Sequence, residues 1–150
     1  MISITGVPGS GKTHLSSMLR ERGFQVSDLN EIARVHGCLV DDAVDIQCMR
    51  SVISSINPKI GEAHYSHLLT GDAIIIMTTS EEVLRKRLNE RGYSNLKIEE
   101  NIDALLSDSI FYESLDRVPG NRIMIVNTTN GLSAEEFQKI SEFIKRFTIG

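Results

Sequence analysis

The chain has 150 residues, of which 41% are hydrophobic and 24% are charged, a composition typical of one soluble globular domain. Aromatic residues make up 5% and tryptophan is absent, so a surface on which nucleic-acid bases stack is not expected. The formal net charge of -4 also argues against direct high-affinity nucleic-acid binding. No run approaches the ~20 apolar residues that span a bilayer, and the first residues lack a signal-peptide pattern. We therefore expect a cytoplasmic protein without membrane contacts.

Strand-like and helix-like segments alternate along the chain. Apolar spacing predicts strands over residues 2–5, 24–26, 59–61, 74–77 and 123–126. It predicts helices after residue 13, over 29–34 and 44–56, after the fourth strand, over about 98–110, and over about 137–147. Thr79 with Glu82 and Ser133 with Glu136 fit capping boxes that begin two of these helices. The alternation favours an α/β fold with a parallel sheet and helices on both faces, in one domain over 1–150.

Two short segments break the helical spacing, residues 37–42 and 91–97, and we expect both to be mobile insertions over a site. Cys38 and Cys48 lack the spacing of a zinc motif, so we expect two reduced thiols.

The segment Gly6-Val7-Pro8-Gly9-Ser10-Gly11-Lys12-Thr13 matches the phosphate-binding pattern G-x-x-x-x-G-K-[ST] at every fixed position. It follows a predicted strand and opens a predicted helix, which is the required context. Glycines let backbone N–H groups surround phosphates, and the helix N-terminus adds partial positive charge. Lys12 would reach the β- and γ-phosphates, and the Thr13 hydroxyl would ligate Mg²⁺. The motif therefore predicts a nucleotide site.

The motif alone does not determine the reaction. The Asn-Lys-x-Asp and Asp-x-x-Gly patterns of GTPases are absent from the sequence, and 150 residues are too few for a large ATPase engine. A small kinase is the class that remains.

Phosphoryl transfer also requires a carboxylate near the metal. Ligands bind beyond the carboxyl ends of parallel strands, so Asp72, which precedes a strand, is expected at the wrong edge. Glu62 follows a short strand and falls at the correct edge, and Asp28 is the second candidate. His64, next to Glu62, is a candidate general base or phosphate contact. His67 is expected to be a surface or helix-face histidine.

Three arginines near the end of the helix after the fourth strand are candidates to neutralise the transferring phosphoryl group. Arg87 and Arg91 are four residues apart and share a helix face. Arg91 is favoured because Gly92 ends the helix there, whereas Arg85 is expected to form surface ion pairs.

Several of these segments together resemble one family. They are the phosphate loop at the start of the chain, Leu-Asn-Glu-Ile-Ala at 29–33, Glu-Ala-His at 62–64, and Arg-Gly-Tyr-Ser-x-x-Lys-Ile-x-Glu-Asn at 91–101. They are similar to the archaeal and eukaryotic nuclear adenylate kinase family, also called adenylate kinase isoenzyme six or coilin-interacting nuclear ATPase. The resemblance extends from residue 1 to about 145, and the stretch at 91–101 is more specific than the phosphate loop.

The resemblance implies a nucleoside monophosphate kinase fold of the P-loop class, with a five-stranded parallel sheet and two moving segments. The monophosphate-binding segment would cover about 28–50 and the lid about 90–100. The resemblance implies two sets of site residues. The ATP-binding set is Gly9, Ser10, Gly11, Lys12, Thr13, His14 and Arg91; the monophosphate set is Asn30, Arg34, Glu62 and His64. Lys12, His64 and Arg91 would be catalytic, and Thr13 with Glu62 would hold Mg²⁺.

The resemblance further implies the reaction ATP + AMP to 2 ADP, a side activity as an ATPase, and a role in small-subunit ribosomal RNA maturation through a small-subunit ribosomal protein. Thr78 stands at the position after the central strand where the family usually has an arginine. This departure supports the alternative of an ATP-driven ribosome assembly factor with vestigial AMP kinase activity. A small-metabolite kinase on the same scaffold is the third hypothesis.

Overall fold

The structure, a computed structural model, describes residues 1–69 and 71–148. Its strands are β1 (Ile2–Thr5), β2 (Val26–Asp28), β3 (Leu39–Val40), β4 (Ala43–Val44), β5 (Ile60–Glu62), β6 (Ala73–Thr78) and β7 (Ile123–Asn127). Its α-helices are α1 (Lys12–Glu21), α2 (Leu29–Val35), α3 (Ile46–Ile56), α4 (Glu81–Glu90), α5 (Asn95–Leu106), α6 (Ser109–Leu115) and α7 (Ala134–Phe147). Two 3₁₀ turns lie at Ser66–Leu68 and Gly120–Arg122.

Five strands form one parallel sheet in the order β2-β5-β1-β6-β7, which confirms the predicted fold class. The two central strands, β1 and β6, are covered on both faces and are almost completely buried. The sequence of β6 is accordingly almost continuously apolar, whereas β1 alternates isoleucine with the buried Ser3 and Thr5. Strand β1 lies between β5 and β6. The phosphate loop, which follows β1, therefore begins at the carboxyl edge of the sheet between these two strands.

Separate apolar clusters anchor the helices to the two faces of the sheet. On one face α1 and α7 pack against β1 and β6, with Leu15, Leu19, Phe137, Ile140 and Ile144 in the core. On the other face, α2, α3 and the chain after β5 share a second cluster. A third cluster joins Val7 of the phosphate loop to Leu84, Leu88, Ile98 and Ile102 of α4 and α5. The loop is therefore packed against these helices as well as attached to β1.

Several predicted boundaries are wrong. The helix predicted over 44–56 is α3, which begins at Ile46 because the Asp45 side chain caps it. The strand predicted over 24–26 is β2, which begins at Val26. Helix α4 begins after Ser80 rather than Thr79, because the Ser80 hydroxyl accepts from the Val83 N–H. The long helix predicted over 98–110 is two helices, separated where Asp108 takes a left-handed backbone with φ 53°. The capping box of Ser133 and Glu136 is confirmed.

Part of the segment predicted as an insertion, residues 37–42, belongs to a small hairpin over residues 39–44. Strands β3 and β4 pair antiparallel around Asp41 and Asp42, both with positive φ, as two-residue hairpin turns require. The hairpin brings Cys48, at the start of α3, next to the fully buried Cys38, with 5.5 Å between their Cα atoms. The two cysteines form a disulfide, so the expectation of reduced thiols is wrong. Sequence spacing gives no sign of this pairing because the hairpin creates it.

No helix in the described part of the chain is long and apolar enough to cross a bilayer.

Replacing both Cys38 and Cys48 with serine is expected to lower the free energy of unfolding by about 2–3 kcal/mol. The reason is that the disulfide closes a loop of ten residues and removes entropy from the unfolded chain. Urea denaturation with and without dithiothreitol measures the effect. The reductant should destabilise the wild type and leave the double variant unchanged. Two titratable thiols in the oxidised, denatured wild type would contradict the disulfide.

Candidate functional site

The loop between β1 and α1 has a backbone that only glycine adopts easily. Gly9 and Gly11 have φ values of 85° and 103°. Gly11 is the N-cap of α1, and no side chain caps this helix, so its first N–H groups face the loop. This arrangement of free N–H groups at a helix N-terminus binds anions, and phosphate in particular.

Lys12 lies across this loop. Its Nζ donates to the Val7 carbonyl at 3.1 Å, which holds the side chain against the loop. Burial lowers the pKa of Lys12 to about 8, the charge of Glu62 opposes that shift, and the charge of Arg91 adds to it. The structure therefore brings Lys12, Glu62 and Arg91 within electrostatic range of one another.

Glu62 is the last residue of β5 and lies beside the loop, at the edge of the sheet that the topological argument predicted. The Thr13 hydroxyl donates to Glu62 Oε1 at 3.3 Å. A hydroxyl and a carboxylate are oxygen donors that suit Mg²⁺, which proteins commonly hold through one or two side chains together with substrate phosphates. The described residues contain no cluster of three or more His, Cys, Asp or Glu side chains that could hold a metal.

Arg87 and Thr128 fix the outer side of the phosphate loop. Arg87 donates to the Gly9 carbonyl at 2.9 Å and to the Thr128 carbonyl at 2.8 Å. The buried Thr128 hydroxyl donates to the Ser10 carbonyl at 2.7 Å. These two side chains therefore bind the successive carbonyls of Gly9 and Ser10 and hold the loop from its outer side. We call Arg87 and Thr128 the loop clamp.

Sequence reasoning missed Thr128, although its position just after β7 at the carboxyl edge of the sheet is a usable signal. A small cavity of about 190 Å³ borders the loop clamp and is also lined by Gly9, Gly11, His14 and Arg91. The candidate ATP-binding residues His14 and Arg91 thus share a cavity beside the loop. Arg85 instead forms exposed ion pairs with Glu81 and Glu99, as expected.

A cleft of about 820 Å³ begins at Val7 and Pro8 of the loop and extends between α2, the β3–β4 hairpin, α5 and α6. We call it the second cleft. Asn30, Arg34 and His64 line it, so three of the four predicted monophosphate-binding residues lie together. Glu62, the fourth, contacts Thr13 instead. The site therefore has two connected compartments that meet at the loop.

Tyr65 orients two side chains of the second cleft. Its hydroxyl donates to Asn30 Oδ1 at 2.8 Å, and its ring meets the His64 ring edge to face at 5.1 Å. Burial raises the pKa of Tyr65 to about 12, with smaller contributions from Asp28 and Glu62, so the hydroxyl keeps its proton. With its oxygen engaged, the Asn30 amide nitrogen remains as a donor for a ligand. No sequence motif pointed to Tyr65.

The second cleft is poor in positive charge. Arg34 is the one lysine or arginine among its described lining residues, and it pairs with Glu31. Asp28, the second candidate for the metal, accepts from the N–H groups of Asn30 and Glu31 as the cap of α2. Burial, with the nearby charges of Lys12 and His67, lowers the pKa of His64. His64 is therefore neutral at pH 7 and able to accept a proton or a hydrogen bond.

His67 is 2% exposed, so its predicted surface position is wrong. It belongs to the 3₁₀ turn Ser66–Leu68, which packs beneath β1. Asp72 lies before β6, at the opposite edge of the sheet from the loop, and pairs with the chain's amino terminus.

The segment predicted as a lid, about 90–100, is a short turn followed by the first half of α5. Gly92, with φ 76°, ends α4, and the Ser94 hydroxyl caps α5 by accepting from the Lys97 N–H. A cavity of about 520 Å³ separates Tyr93, Lys97, Glu100 and Asn101 from Pro8 and His64. This segment therefore faces the phosphate loop across an open space.

A glycine-rich loop that opens an uncapped helix beside a lysine, a hydroxyl and a carboxylate defines the class of P-loop nucleotide-binding proteins. Residues 2–107 match a family described as an AAA domain. The chain is 43% identical to a protein of Thermoplasma acidophilum named "Putative adenylate kinase", over 87% of this chain and 88% of that protein. A protein of Thermoplasma volcanium with the same name is 40% identical, over 95% of this chain and 93% of that protein. The chain therefore belongs to the family of these archaeal P-loop proteins, and it is a phosphotransferase.

Solved structures support the fold. A gluconokinase from Sinorhizobium meliloti matches with a TM-score of 0.57 and 17% identity, over 98% of this chain and 92% of that chain. A shikimate kinase from Bacteroides thetaiotaomicron matches with a TM-score of 0.52 and 17% identity, over 97% and 94%.

Nucleotide affinity is expected to fall as the pH rises above about 8. Phosphates favour the charged form of Lys12, whose pKa is about 8, so binding above that pH requires uptake of a proton. The association constant for ATP should be flat from pH 7 to 8 and then fall by up to tenfold per pH unit. Isothermal titration over pH 7–9.5 measures the fall. Lys12→Arg, whose guanidinium stays charged, should show a flat profile, and an equal slope in both proteins would exclude Lys12 as the group.

Thr128→Ala is expected to weaken ATP binding about 5–20-fold, because it removes the hydroxyl that donates to the Ser10 carbonyl. Thr128→Ser, which keeps the hydroxyl, should bind within about twofold of wild type. Equal losses in the two variants would mean that the Thr128 methyl, which packs against Gly11, matters more than the hydrogen bond. Thermal denaturation of both variants checks that the fold survives.

Proposed function

We propose that this phosphotransferase is a nucleoside monophosphate kinase that converts ATP and AMP into two ADP. The observation that carries the proposal is that two compartments meet at one loop. The phosphate loop forms the donor side, and its residues Val7 and Pro8 also form the end of the second cleft, which has room for a second nucleotide. An enzyme that only hydrolysed ATP would need no such cleft. The names of the archaeal relatives support the same reaction.

In this reaction an oxygen of the AMP phosphate attacks the γ-phosphorus of ATP, and the bond to the β-phosphate oxygen breaks. Lys12 and Arg91 neutralise the charge on the transferring group, and the N–H groups of residues 9–13 hold the donor phosphates. Mg²⁺, bound through Thr13 and Glu62, would supply further positive charge. His64, Asn30 and Arg34 orient the acceptor in the second cleft, which aligns its phosphate for in-line attack.

Two segments are proposed to close over the substrates, one covering about 28–50 and one covering about 90–100. Both face the second cleft or the space above the loop, and closure would exclude water that otherwise hydrolyses ATP. Within the first segment, the disulfide ties the β3–β4 hairpin to α3, so we infer that these elements move together.

One observation favours a second function, an ATPase with vestigial AMP kinase activity that acts in ribosome assembly. The second cleft offers a dianionic acceptor a single guanidinium among its described residues, and Thr78 adds none. The expected contact with a small-subunit ribosomal protein, and the nuclear type of the resemblance, stay predictions.

ADP formation from ATP, measured with and without AMP, tests the proposal. AMP should stimulate it at least tenfold, and two ADP should form for each AMP consumed. Lys12→Ala should lower the rate at least 100-fold, because the transition-state charge loses its nearest cation. Lys86→Ala, an exposed lysine on α4, is the matched control and should match wild type. Equal rates of ADP formation by wild type with and without AMP would favour the ATPase and assembly function instead.

A further inference from the structure

The β3–β4 hairpin forms one wall of the second cleft, although the hairpin itself is weakly held. The residues of the hairpin that line the cleft are Leu39, Asp42, Ala43 and Val44. Each strand has two residues, and a two-stranded hairpin of that size is not stable alone in water. Leu39 and Val40 are 42% and 58% exposed, so the hairpin buries little apolar surface of its own. Its position over the cleft therefore depends on what ties it to the rest of the chain.

Cys38 and Cys48 supply one tie, at the base of the hairpin. Cys38 directly precedes β3 and is fully buried in the apolar cluster that α2 and α3 share. Its disulfide to Cys48 joins the hairpin to the first turn of α3. The Asp45 N–H also donates to the Cys38 carbonyl at 2.8 Å, so a covalent bond and a hydrogen bond close the hairpin at the same point.

Arg50 supplies a second tie, from α3 to the core of the domain. Its Nε and Nη2 both donate to the Leu68 carbonyl at 3.1 Å. Leu68 ends a 3₁₀ turn that is fixed beneath β1, because the buried Ser66 hydroxyl donates to the Ile4 carbonyl at 2.8 Å. Arg50 follows Cys48 by two positions in α3. The hairpin, the disulfide, α3, Arg50 and the fixed turn are therefore connected in series.

We propose that the disulfide and Arg50 act as one link that holds the hairpin over the second cleft, so that reducing the disulfide weakens binding of the acceptor nucleotide. This inference rests on the proposed function, since it assigns the acceptor to that cleft. Arg50 is a positioning residue, because it acts on the cleft through α3 and the hairpin. ATP binding does not depend on the link, because the loop clamp holds the phosphate loop separately.

Reduction by a dithiol proceeds through the more accessible of the two sulfur atoms. Cys48 is partly exposed and Cys38 is fully buried, so a thiolate of the reductant attacks Cys48 Sγ. The bond between the two cysteines breaks, a mixed disulfide forms at Cys48, and the Cys38 sulfur leaves with the electron pair and takes up a proton. The second thiol of the reductant then displaces the Cys48 sulfur, which also takes up a proton. The protein thus gains two electrons and two protons from the two thiols of the reductant, which becomes a disulfide.

The expected effect is a change in how often the hairpin is in place. In the reduced protein the hairpin occupies its position over the cleft for part of the time, and the apparent Kd of the acceptor rises by the inverse of that fraction. A hairpin in place for roughly a tenth to a fifth of the time raises the Kd for AMP about 5–10-fold.

Dithiothreitol tests the proposal on the protein without any substitution. The Kd for AMP is measured by isothermal titration without ATP in the oxidised, the reduced and the reoxidised protein, and thiol titration in denaturant verifies each state. We expect the Kd for AMP to rise about 5–10-fold on reduction and to recover on reoxidation, while the Kd for ATP stays within about twofold. The double variant Cys38→Ser, Cys48→Ser should bind AMP as the reduced wild type does and should not respond to the reductant.

Arg50→Met tests the second tie, because it removes the guanidinium and keeps a long, unbranched side chain. In the oxidised protein it should weaken AMP binding about as much as reduction does. Since the two ties act in series, Arg50→Met should add less than about twofold once both cysteines are serine. Gln47→Met, at an exposed position of the same helix, is the matched control and should bind AMP as wild type does. Thermal denaturation checks that each variant is folded, and the dithiothreitol experiment decides alone if Arg50→Met is not.

A purely structural role is the competing explanation, in which both ties stabilise the fold and neither affects the choice between acceptor and donor. Loss of AMP affinity on reduction without loss of ATP affinity supports the inference, even if no phosphoryl transfer is detected and the proposed function fails. Unchanged AMP affinity, equal losses for AMP and ATP, or effects of the two ties that multiply overturn it, and the proposed function then stands if AMP still accepts phosphate. Absence of AMP binding and of transfer in both oxidation states overturns both.

Discussion

The position of the phosphate loop is set by the close approach of Gly6 to β6. A Cβ at Gly6 would lie 2.5 Å from the Met77 carbonyl oxygen and 2.5 Å from Ser10 Oγ, and its φ of 146° favours glycine. Because no side chain separates Gly6 from β6, the loop stays close to the central sheet before it enters α1 at Lys12. The uncapped first N–H groups of α1 then face the loop, and Lys12 lies across it on the Val7 carbonyl. The loop clamp then holds the outer side of the loop, so its shape depends on contacts from both sides.

The parts of the site that follow from local pattern and sheet topology are predictable from the sequence. The order strand, glycine loop and helix fixes the donor side, and the rule on carboxyl ends correctly distinguishes Glu62 from Asp72. Other parts depend on contacts between residues far apart in sequence, and periodicity carries no information about them. The loop clamp joins α4 to the chain after β7, and the contact between Thr5 and His67 spans 62 positions. A hairpin with two-residue strands is too short to produce a periodic signal, so the disulfide it creates could not be foreseen.

Local competition explains the wrong boundaries. Thr79 and Ser80 can both cap a helix, and sequence alone does not decide between them. In the structure the Thr129 hydroxyl accepts from the Ser80 N–H, which anchors Ser80 at the start of α4. Likewise, the apolar spacing from Ile98 to Ile110 continues across the break at Asp108, because α5 and α6 both pack their apolar sides inward. A continuous apolar pattern therefore does not require a continuous helix.

The charges of the two compartments differ, and this difference constrains how an acceptor can lie. The donor side carries Lys12 and Arg91, whereas the lining of the second cleft includes Glu31, Asp42 and Glu113 and a single arginine. A phosphate dianion is attracted toward the loop and repelled by the acidic side chains of the second cleft. A monophosphate is therefore expected to enter with its phosphate toward Val7 and Pro8 and its uncharged nucleoside further along the second cleft. That orientation places the attacking oxygen next to the donor side, so the charge distribution that selects the ligand also aligns it for transfer.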